Sequence, residues 1–300
     1  MTRSRLSILI AASLLLCGQP VGARTLTIGS IAEDPSGEIA TFFPLVDYLA
    51  HRLTEFGIDK GKVVVVGSIL ELAEQMKVHQ IDLHIDSPYP SVRASDLSGS
   101  TIILRRWKGG KKEYRSLIVV RADSPIQTLG DLRGKIVAFE DEFSTSGYFL
   151  PKSALLEAGL KLRPCQKTVA TTPPDEVSCV FVGEQGNIRA WVLRSKADAG
   201  SLGAHNFEKL LPREKQQVRI LHETGPVPRQ VVSVRPGLDR ALTERIQRIL
   251  TDMEHSEEGR KILAEFEETT RFDELPGGPE QALAPIRRLL RNADAAADRR

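Results

Sequence analysis

The segment Lys62–Gly67 holds four consecutive valines between a lysine and a glycine. Such a short apolar run is typical of a strand buried on both faces of a parallel sheet. On either side, apolar residues recur at helical spacing over Glu38–Phe56 and Ile69–His79, and further strands are predicted at Arg24–Gly29 and Ile81–Ile85. The alternation of strand and helix predicts an α/β fold.

The same alternation continues to about residue 234, and the last 60 residues are predicted to be mostly helical. Further strands are predicted at 114–121, 135–140, 177–182, 197–200, 219–222 and 230–234, and further helices at 126–134, 151–158, 187–195, 238–253, 256–266 and 283–290. We expect two closely packed lobes, residues 24–113 with 228–290 and residues 114–227, followed by a frayed tail at 291–300.

Residues 1–23 have the pattern of a secretory signal peptide. Two arginines precede an apolar stretch, Leu6–Cys17, that is too short to span a bilayer, and small residues follow up to Ala23. Lipid attachment at Cys17 is the alternative, which the bulky Leu16 in front of it disfavours. The sequence therefore predicts export to the periplasm.

The charge balance excludes a general attraction to polyanions. The chain has 41 basic and 39 acidic residues, and removal of the signal segment takes away two arginines and no acid. A neutral chain has no overall field that draws it to nucleic acid or anionic lipid. Only 5% of the residues are aromatic, which argues against a base-stacking surface.

Loss of the signal segment leaves Cys165 and Cys179 as an isolated pair. In an oxidising compartment they can form a structural disulfide, worth roughly 3 kcal/mol for a loop of about 15 residues in the chain-entropy description. Two unpaired thiols are the alternative.

The run Ser144–Gly147, with the sequence Ser-Thr-Ser-Gly, follows a predicted strand and precedes a predicted helix. Backbone N–H groups at a helix start lack internal partners and attract oxyanions. The hydroxyls add donors, and Gly147 allows a ligand to approach the backbone closely. Because Pro151 removes a helical hydrogen bond, we expect a turn over 146–150 and the helix to begin at Pro151. A plain helix cap is the alternative.

Five segments in order resemble the PhnD-like family of phosphate-, phosphite- and phosphonate-binding proteins of ABC transporters. The strongest is Phe139–Pro151, with its acidic pair followed by Ser-Thr-Ser-Gly-aromatic and proline. The others are Tyr114–Ile126, Gln127–Lys135, Ala197–Gly200 (Ala-Asp-Ala-Gly) and Ser256–Arg260. The resemblance covers about residues 25–270.

This resemblance implies a type II periplasmic-binding-protein fold, in which two α/β lobes are joined by two crossing strands and close on a ligand in the cleft. It also implies a set of cleft residues, to which we add polar residues at corresponding loop positions: Ser144, Thr145, Ser146, Gly147, Tyr114, Ser87, Tyr89 and Gln185.

Three positions depart from the family pattern. Asp86-Ser87-Pro88 replaces Leu-Gly-Pro, Gly183-Glu184-Gln185 replaces glycine followed by serine or histidine, and Ser201–Ala204 lacks the acidic residues often found there. Asp86 beside an anion is unfavourable unless it is protonated or paired with a ligand cation. The ligand class therefore stays open among phosphate-like anions.

Other candidate sites are weaker. Asp82, His84 and Asp86 share one face of a strand with spacing suited to a metal, but such alternation is more typical of a solvent-facing strand end. The basic run Arg105–Lys112 is expected to be a solvated loop opposite acidic neighbours rather than a site for a phosphate-bearing partner. Neither serine of the motif has the sequence context of a hydrolase nucleophile. We predict no metal, no cofactor and no catalysis.

We therefore expect an exported, monomeric solute-binding protein that captures a phosphate-, phosphite- or phosphonate-like oxyanion and delivers it to an ABC permease. One alternative is a ligand sensor of the same fold that signals to a membrane receptor. Another is a cleft enzyme acting on phosphate esters.

Overall fold

The structure is a computed structural model that describes residues 24–32, 34–168 and 171–297. The predicted signal peptide, with Cys17, lies outside the described residues. The described part contains two six-stranded sheets, each covered by helices, so the predicted two-lobe α/β fold is confirmed. None of its helices is both long and apolar enough to cross a membrane.

The strands are β1 (Arg24–Ile31), β2 (Ile58–Val66), β3 (Leu83–Asp86), β4 (Thr101–Lys108), β5 (Glu113–Tyr114), β6 (Ser116–Arg121), β7 (Ile136–Phe139), β8 (Lys161–Leu162), β9 (Glu176–Phe181), β10 (Ala199–Gly203), β11 (Val218–Glu223), β12 (Val227–Pro228), β13 (Gln230–Val234) and β14 (Thr269–Asp273). The helices are α1 (Pro35–Ala50), α2 (Ile69–Lys77), α3 (Pro88–Ser98), α4 (Leu150–Glu157), α5 (Gln185–Leu193), α6 (Ala204–Glu208), α7 (Pro212–Lys215), α8 (Arg240–Asp252), α9 (Glu257–Glu265) and α10 (Gly278–Ala297).

The sheet of lobe 1 has the strand order β14-β4-β13-β3-β1-β2. Strands β1, β2 and β3 are parallel, whereas β13 and β14 pair antiparallel with their neighbours. The valine run lies in β2, which is parallel as predicted but forms the edge of the sheet, and Val63, Val64 and Val65 are only half-buried. The expectation of a fully buried strand is wrong, because only β1 flanks it in the sheet.

The sheet of lobe 2 has the order β11-β6-β10-β7-β9-β8. Its parallel strands β7, β9 and β10 are covered by two apolar clusters, one on each side of the sheet. Cys165 and Cys179 form a disulfide with Cα atoms 4.6 Å apart, which confirms the predicted pairing. This bond ties the loop after β8 to strand β9.

A two-stranded ribbon joins the lobes. Strand β5 pairs antiparallel with β12, and Tyr114 lies opposite Val227. The single strand predicted over 114–121 is therefore two strands, because the chain leaves the ribbon at Arg115 and enters the lobe 2 sheet at Ser116. Residue periodicity alone does not reveal this change of pairing partner.

Several elements differ from the sequence predictions. Helix α3 lies in a segment for which no element was predicted, and strand β14 lies in a region expected to be mostly helical. Helix α10 continues through Ala297, where a frayed tail was expected. The predicted solvated loop at Arg105–Lys112 is also wrong. Its first four residues belong to β4, where Arg105 and Arg106 are buried and paired with Asp273 and Glu267. These carboxylates lie more than 150 residues away in sequence.

Candidate functional site

A cleft lies between the lobes, at the carboxyl ends of β1 and β3 in lobe 1 and of β7 in lobe 2. In open α/β sheets this end of parallel strands is where ligands bind. The backbone N–H of Tyr89 in α3 donates to Thr145 Oγ1 at 2.9 Å, so the two lobes contact each other across the cleft. The motif residues predicted from the sequence lie on the lobe 2 side of this contact.

The Ser-Thr-Ser-Gly motif forms the start of a helix with one wide turn. Residues Thr145–Phe149 are π-helical and run directly into α4. Ser144 caps this helix, since its Oγ accepts a hydrogen bond from the N–H of Gly147 at 2.9 Å. The first-turn N–H groups have no preceding helical carbonyl to bind, as expected of an anion-attracting helix start.

The predicted start of the main helix is right to within one residue, since α4 begins at Leu150 with Pro151 in its first turn. The residues before it differ from the expected turn, because Thr145–Phe149 are π-helical, and the hydrogen bonds of Gly147 explain how the proline is accommodated. A helical residue at position 151 would donate to the carbonyl of Gly147, and proline lacks that N–H. Instead, the Gly147 carbonyl accepts from the N–H of Glu140 at 3.1 Å and from Ser201 Oγ at 2.5 Å. The proline therefore leaves no carbonyl unsatisfied, and the helix continues through it.

Ser144 and Gln185 both bind the carboxylate of Glu140. Ser144 Oγ donates to Glu140 Oε2 at 2.7 Å, and Gln185 Nε2 donates to the same oxygen at 3.2 Å. Gln185 Oε1 in turn accepts from the N–H of Gly203 at 2.9 Å. Burial raises the pKa of Glu140, and these two hydrogen bonds oppose that effect. The structure thus places Ser144 and Gln185 around a carboxyl that the sequence analysis did not select.

Thr145, Tyr114, Ser87 and Tyr89 meet at the base of the cleft. Thr145 is buried, and the phenol of Tyr114 lies beside the hydroxyls of Thr145 and Ser87. The Tyr114 hydroxyl has no hydrogen-bond partner among the described residues. Burial raises the pKa of Tyr114, so the group stays a neutral donor. The ring of Tyr89 stacks on Phe149 with centroids 4.3 Å apart, which fixes the position of α3 against the motif helix.

Ser146 and Gly147 complete the predicted set. The carbonyl of Ser146 accepts from Ser116 Oγ at 2.6 Å, which ties the motif to strand β6. A Cβ at Gly147 would lie 2.2 Å from Glu140 Oε2 and 2.4 Å from Glu140 Cβ. Only glycine therefore fits between the motif helix and the end of β7.

Carboxyls with raised pKa values surround the hydroxyls of Thr145, Ser146 and Tyr114, which together form the cup. Burial raises the pKa of Asp86 to about 6 and that of Asp141 to about 7, where Glu140 adds repulsion. Burial also raises the pKa of Glu38. The sequence analysis required Asp86 to be protonated if an anion binds beside it. With a pKa of about 6, Asp86 can take up a proton near neutral pH when an anion enters.

The three residues considered for a metal serve separate structural purposes. Asp82 binds the guanidinium of Arg235 at 2.8 Å and that of Arg24 at 3.3 Å. His84 Nδ1 lies 3.0 Å from the carbonyl of Gly29, and burial lowers the pKa of this histidine to about 4. In the described ranges, no three His, Cys, Asp or Glu side chains are grouped so as to hold a metal ion.

Sequence reasoning missed the cations on the lobe 1 wall of the cleft. Arg106 donates to Thr269 Oγ1 and to Glu267 at 2.8 Å each, and Lys108 donates to Glu267 at 2.7 Å. Burial alone would raise the pKa of Glu267, but Arg106 and Lys108 together lower it to about 2. The alternation of Arg106 and Lys108 along the basic run was the signal for a strand with one charged face.

The family model for "ABC transporter, phosphonate, periplasmic substrate-binding protein" matches residues 30–276, most of the chain. The chain belongs to this family. The match includes the Ser-Thr-Ser-Gly helix start and both lobes of the cleft. The resemblance inferred from the sequence motifs is confirmed.

Relatives of this substrate-binding family show the same architecture. XAC2383 from Xanthomonas citri, with structures bound to chloride and to ATP, is 28% identical with a TM-score of 0.83. The chloride-bound structure matches over 92% of this chain and 99% of that one. PhnD1 from Prochlorococcus marinus in complex with methylphosphonate is 18% identical, with a TM-score of 0.68 over 92% of this chain and 99% of that one, and shows the shared fold.

Among curated proteins, the phosphate-import protein PhnD of Mycolicibacterium smegmatis is 26% identical over 182 residues, 59% of this chain and 54% of that protein. The chain spans about half the length of the curated relatives that it matches.

Proposed function

We propose that this protein is exported to the periplasm, captures a phosphate-, phosphite- or phosphonate-like oxyanion in the interlobe cleft and delivers it to an ABC permease. The observation that carries the proposal is the convergence of Thr145 and Tyr114 at the base of the cleft. Thr145 Oγ1 accepts from the N–H of Tyr89, so its proton is the remaining donor, which can turn from the neighbouring Tyr114 phenol to a ligand oxygen. Membership of a substrate-binding family supports a binding rather than a catalytic role.

Neutral donors suit reversible capture of a tetrahedral anion. The hydroxyls of Thr145, Ser146 and Tyr114 and the first-turn amides of the motif helix together offer several donors from lobe 2 and the ribbon strand β5. Hydrogen bonds to a charged acceptor are shorter and stronger than neutral ones, so such a cup holds an oxyanion without a permanent counter-charge of its own. Ser87 of lobe 1 lies beside the phenol of Tyr114. A ligand that binds groups of both lobes favours their closure.

A phosphate-bearing ligand is also supported by similarity. XAC2383, which shares 28% of its residues with this chain and has nearly the same fold, has been observed bound to ATP. The ligand of that relative contains phosphoryl oxygens of the kind that a cup of hydroxyls and amides binds.

The test is titration calorimetry of the mature chain against phosphate, phosphite, methylphosphonate and 2-aminoethylphosphonate. We expect at least one of them to bind, and Thr145→Ala to weaken that binding by roughly 1–3 kcal/mol, the loss expected for a hydrogen bond to a charged group. Thr243→Ala is the matched control, because its hydroxyl donates to the carbonyl of Asp239, the residue that caps α8. An unchanged dissociation constant in Thr145→Ala would remove the site assignment, and a wild-type chain that binds none of the four anions would remove the proposed function.

A further inference from the structure

Arg229 is a half-buried cation in the cleft without a carboxylate partner. Its guanidinium lies 4.6 Å from the centre of the Tyr114 ring. Its Nε is buried without a hydrogen-bond acceptor, and it forms no ion pair within residues 24–32, 34–168 and 171–297. By contrast, the buried arginines Arg105, Arg106 and Arg235 each bind a carboxylate.

Arg106 presents a second unsatisfied donor on the same wall. It is fully buried in β4, opposite Gln230 of β13, the residue that follows Arg229, and it is close enough to Arg229 for their charges to repel each other. Its Nη1, like the amide oxygen of Gln230 and the hydroxyl of Tyr114, has no hydrogen-bond partner in the described part of the chain. Burial lowers the pKa of Arg106, and repulsion from Arg229 lowers it further. A buried donor left unpaired is costly, and two like charges side by side add to that cost.

Within the part of the chain that the structure describes, five carboxyls face these guanidiniums, and none of the five forms an ion pair with Arg229. Glu267, whose pKa is lowered to about 2, is already shared between Arg106 and Lys108. The other four are Glu38, Asp86, Glu140 and Asp141, and burial raises the pKa of each. As an anion enters, these groups take up protons more readily, which reduces their repulsion of the anion.

We propose that Arg229 and Arg106 bind the cleft oxyanion from the lobe 1 side, and that their charges select dianionic phosphonyl or phosphoryl groups over monoanionic sulfonates of the same shape. This inference rests on the proposed function, because it assumes that the Thr145 cup holds the anion. An anion placed between the cup and Arg229 satisfies the unpaired donors and offsets the repulsion between the two arginines. A doubly charged group gains more from both effects than a singly charged one.

Methylphosphonate and methanesulfonate test the selection, because they share a methyl group and three oxygens but differ in charge. Above the second pKa of the phosphonate, we expect the wild-type chain to prefer methylphosphonate by at least about tenfold, since charge-assisted bonds strengthen with ligand charge. Arg229→Gln should weaken methylphosphonate binding by about tenfold or more and methanesulfonate binding much less. The preference should therefore shrink towards unity, and the salt dependence of methylphosphonate binding should flatten.

Arg121→Gln is the matched control, because this exposed arginine pairs with Asp123 at the far side of lobe 2 and its loss changes net charge equally. Arg106→Lys, which keeps the charge but not the planar fork, is the second variant, and circular dichroism checks its fold. It should weaken methylphosphonate binding while the protein stays folded.

The outcomes separate this inference from the proposed function. Suppose that Thr145→Ala weakens the binding of both anions, whereas Arg229→Gln changes the binding of neither or of both equally. Selection by Arg229 is then overturned, while the assignment of the Thr145 site is kept. If Arg121→Gln matches Arg229→Gln, the effect is one of net charge, and the inference is also overturned. If the wild-type chain binds neither anion nor phosphate, both proposals fail.

Discussion

At the residue scale, Asp86 is the carboxyl whose charge most affects an anion in the cleft. Burial raises its pKa to about 6, while the amide of Ser87 opposes that rise by donating to it. A raised pKa means that the folded protein holds this proton more tightly than the unfolded chain does. The contribution of Asp86 to stability is therefore present at low pH and is lost as the pH rises through about 6.

The affinity for an anionic ligand is expected to depend on pH in the same direction as this contribution to stability. A protonated Asp86 does not repel an anion, so we expect the affinity for sulfate, whose charge is constant over this range, to rise as the pH falls through about 6. Asp86→Asn should bind sulfate more tightly at neutral pH, by roughly tenfold for each unit by which the anion shifts the Asp86 pKa, and should lose the part of the pH dependence centred near pH 6. Asp141, whose pKa is raised to about 7, accounts for the pH dependence that remains. Calorimetry across the range from pH 5 to 8 measures both effects.

Asp123→Asn is the control for this experiment, since Asp123 is exposed and paired with Arg121 away from the cleft. A wild-type affinity that falls as the solution becomes more acidic, or a pH profile that Asp86→Asn leaves unchanged, would contradict the role given to this carboxyl.

The residues of the cup were found from the sequence because they are contiguous. The residue types and spacing of Ser144–Gly147 are enough to predict a helix start. Arg229 belongs to no motif, and its role can be inferred only from the residues around it in the fold. Its stacking on Tyr114 and its lack of a carboxylate partner in the described ranges are properties of the folded chain.

At the scale of elements, the π-helical turn at Thr145–Phe149 is what places the cup against β7. The wide turn lets the Gly147 carbonyl bind Glu140 and Ser201 rather than a residue of its own helix. It also brings the Gly147 Cα so close to Glu140 that no side chain fits there. The close packing of the motif helix against the end of β7 therefore requires both the π-helical turn and the glycine.

Gly147→Ala should displace Glu140 and break its hydrogen bonds to Ser144 and Gln185. We expect a loss of roughly 1–3 kcal/mol in the free energy of unfolding, the range typical of overpacking, measured by urea denaturation. Oxyanion affinity should fall in parallel, because the first turn of the helix shifts.

Gly186→Ala is a matched control for this substitution, since Gly186 lies in α5 and a Cβ there meets nothing within 4 Å. It should leave stability unchanged or raise it by about 0.4–1 kcal/mol through a less flexible unfolded chain. Equal effects of the two substitutions would show that the crowding at Gly147 is not what matters.

At the scale of the whole molecule, the lobes meet at a second place besides the Thr145 contact. Lys209, just after α6 of lobe 2, donates to the carboxylate of Glu268 in lobe 1 at 2.9 Å. The turn at Gly109 lies next to this ion pair within lobe 1, and its N–H donates to the backbone carbonyl of Glu268 at 2.8 Å. The ion pair of Lys209 with Glu268 joins the two lobes, so it favours the closed arrangement.

Lys209→Met removes this interlobe ion pair without touching the cup. Because both partners are largely exposed, we expect oxyanion affinity to fall by less than about fivefold, and the difference from wild type to vanish at high salt. Small-angle scattering of the ligand-free protein should show an equal or slightly larger radius of gyration.

Lys161→Met is the control, since it removes a similarly exposed pair with Asp175 within lobe 2. A much larger loss of affinity in Lys209→Met, or one that persists at high salt, would mean that Lys209 contacts the ligand itself.

The sequence by itself determined the α/β alternation, the presence of two lobes, the helix start at Ser144 and the disulfide candidates, because each depends on periodicity or on neighbouring residues. Tertiary structure alone decided that the valine run is an edge strand, that Arg106 lies in a buried strand and that Arg229 faces the cleft. Those outcomes depend on pairing between distant segments, such as Arg105 with Asp273, 168 residues apart. No local pattern encodes which remote carboxylate reaches a buried arginine and which arginine is left for a ligand.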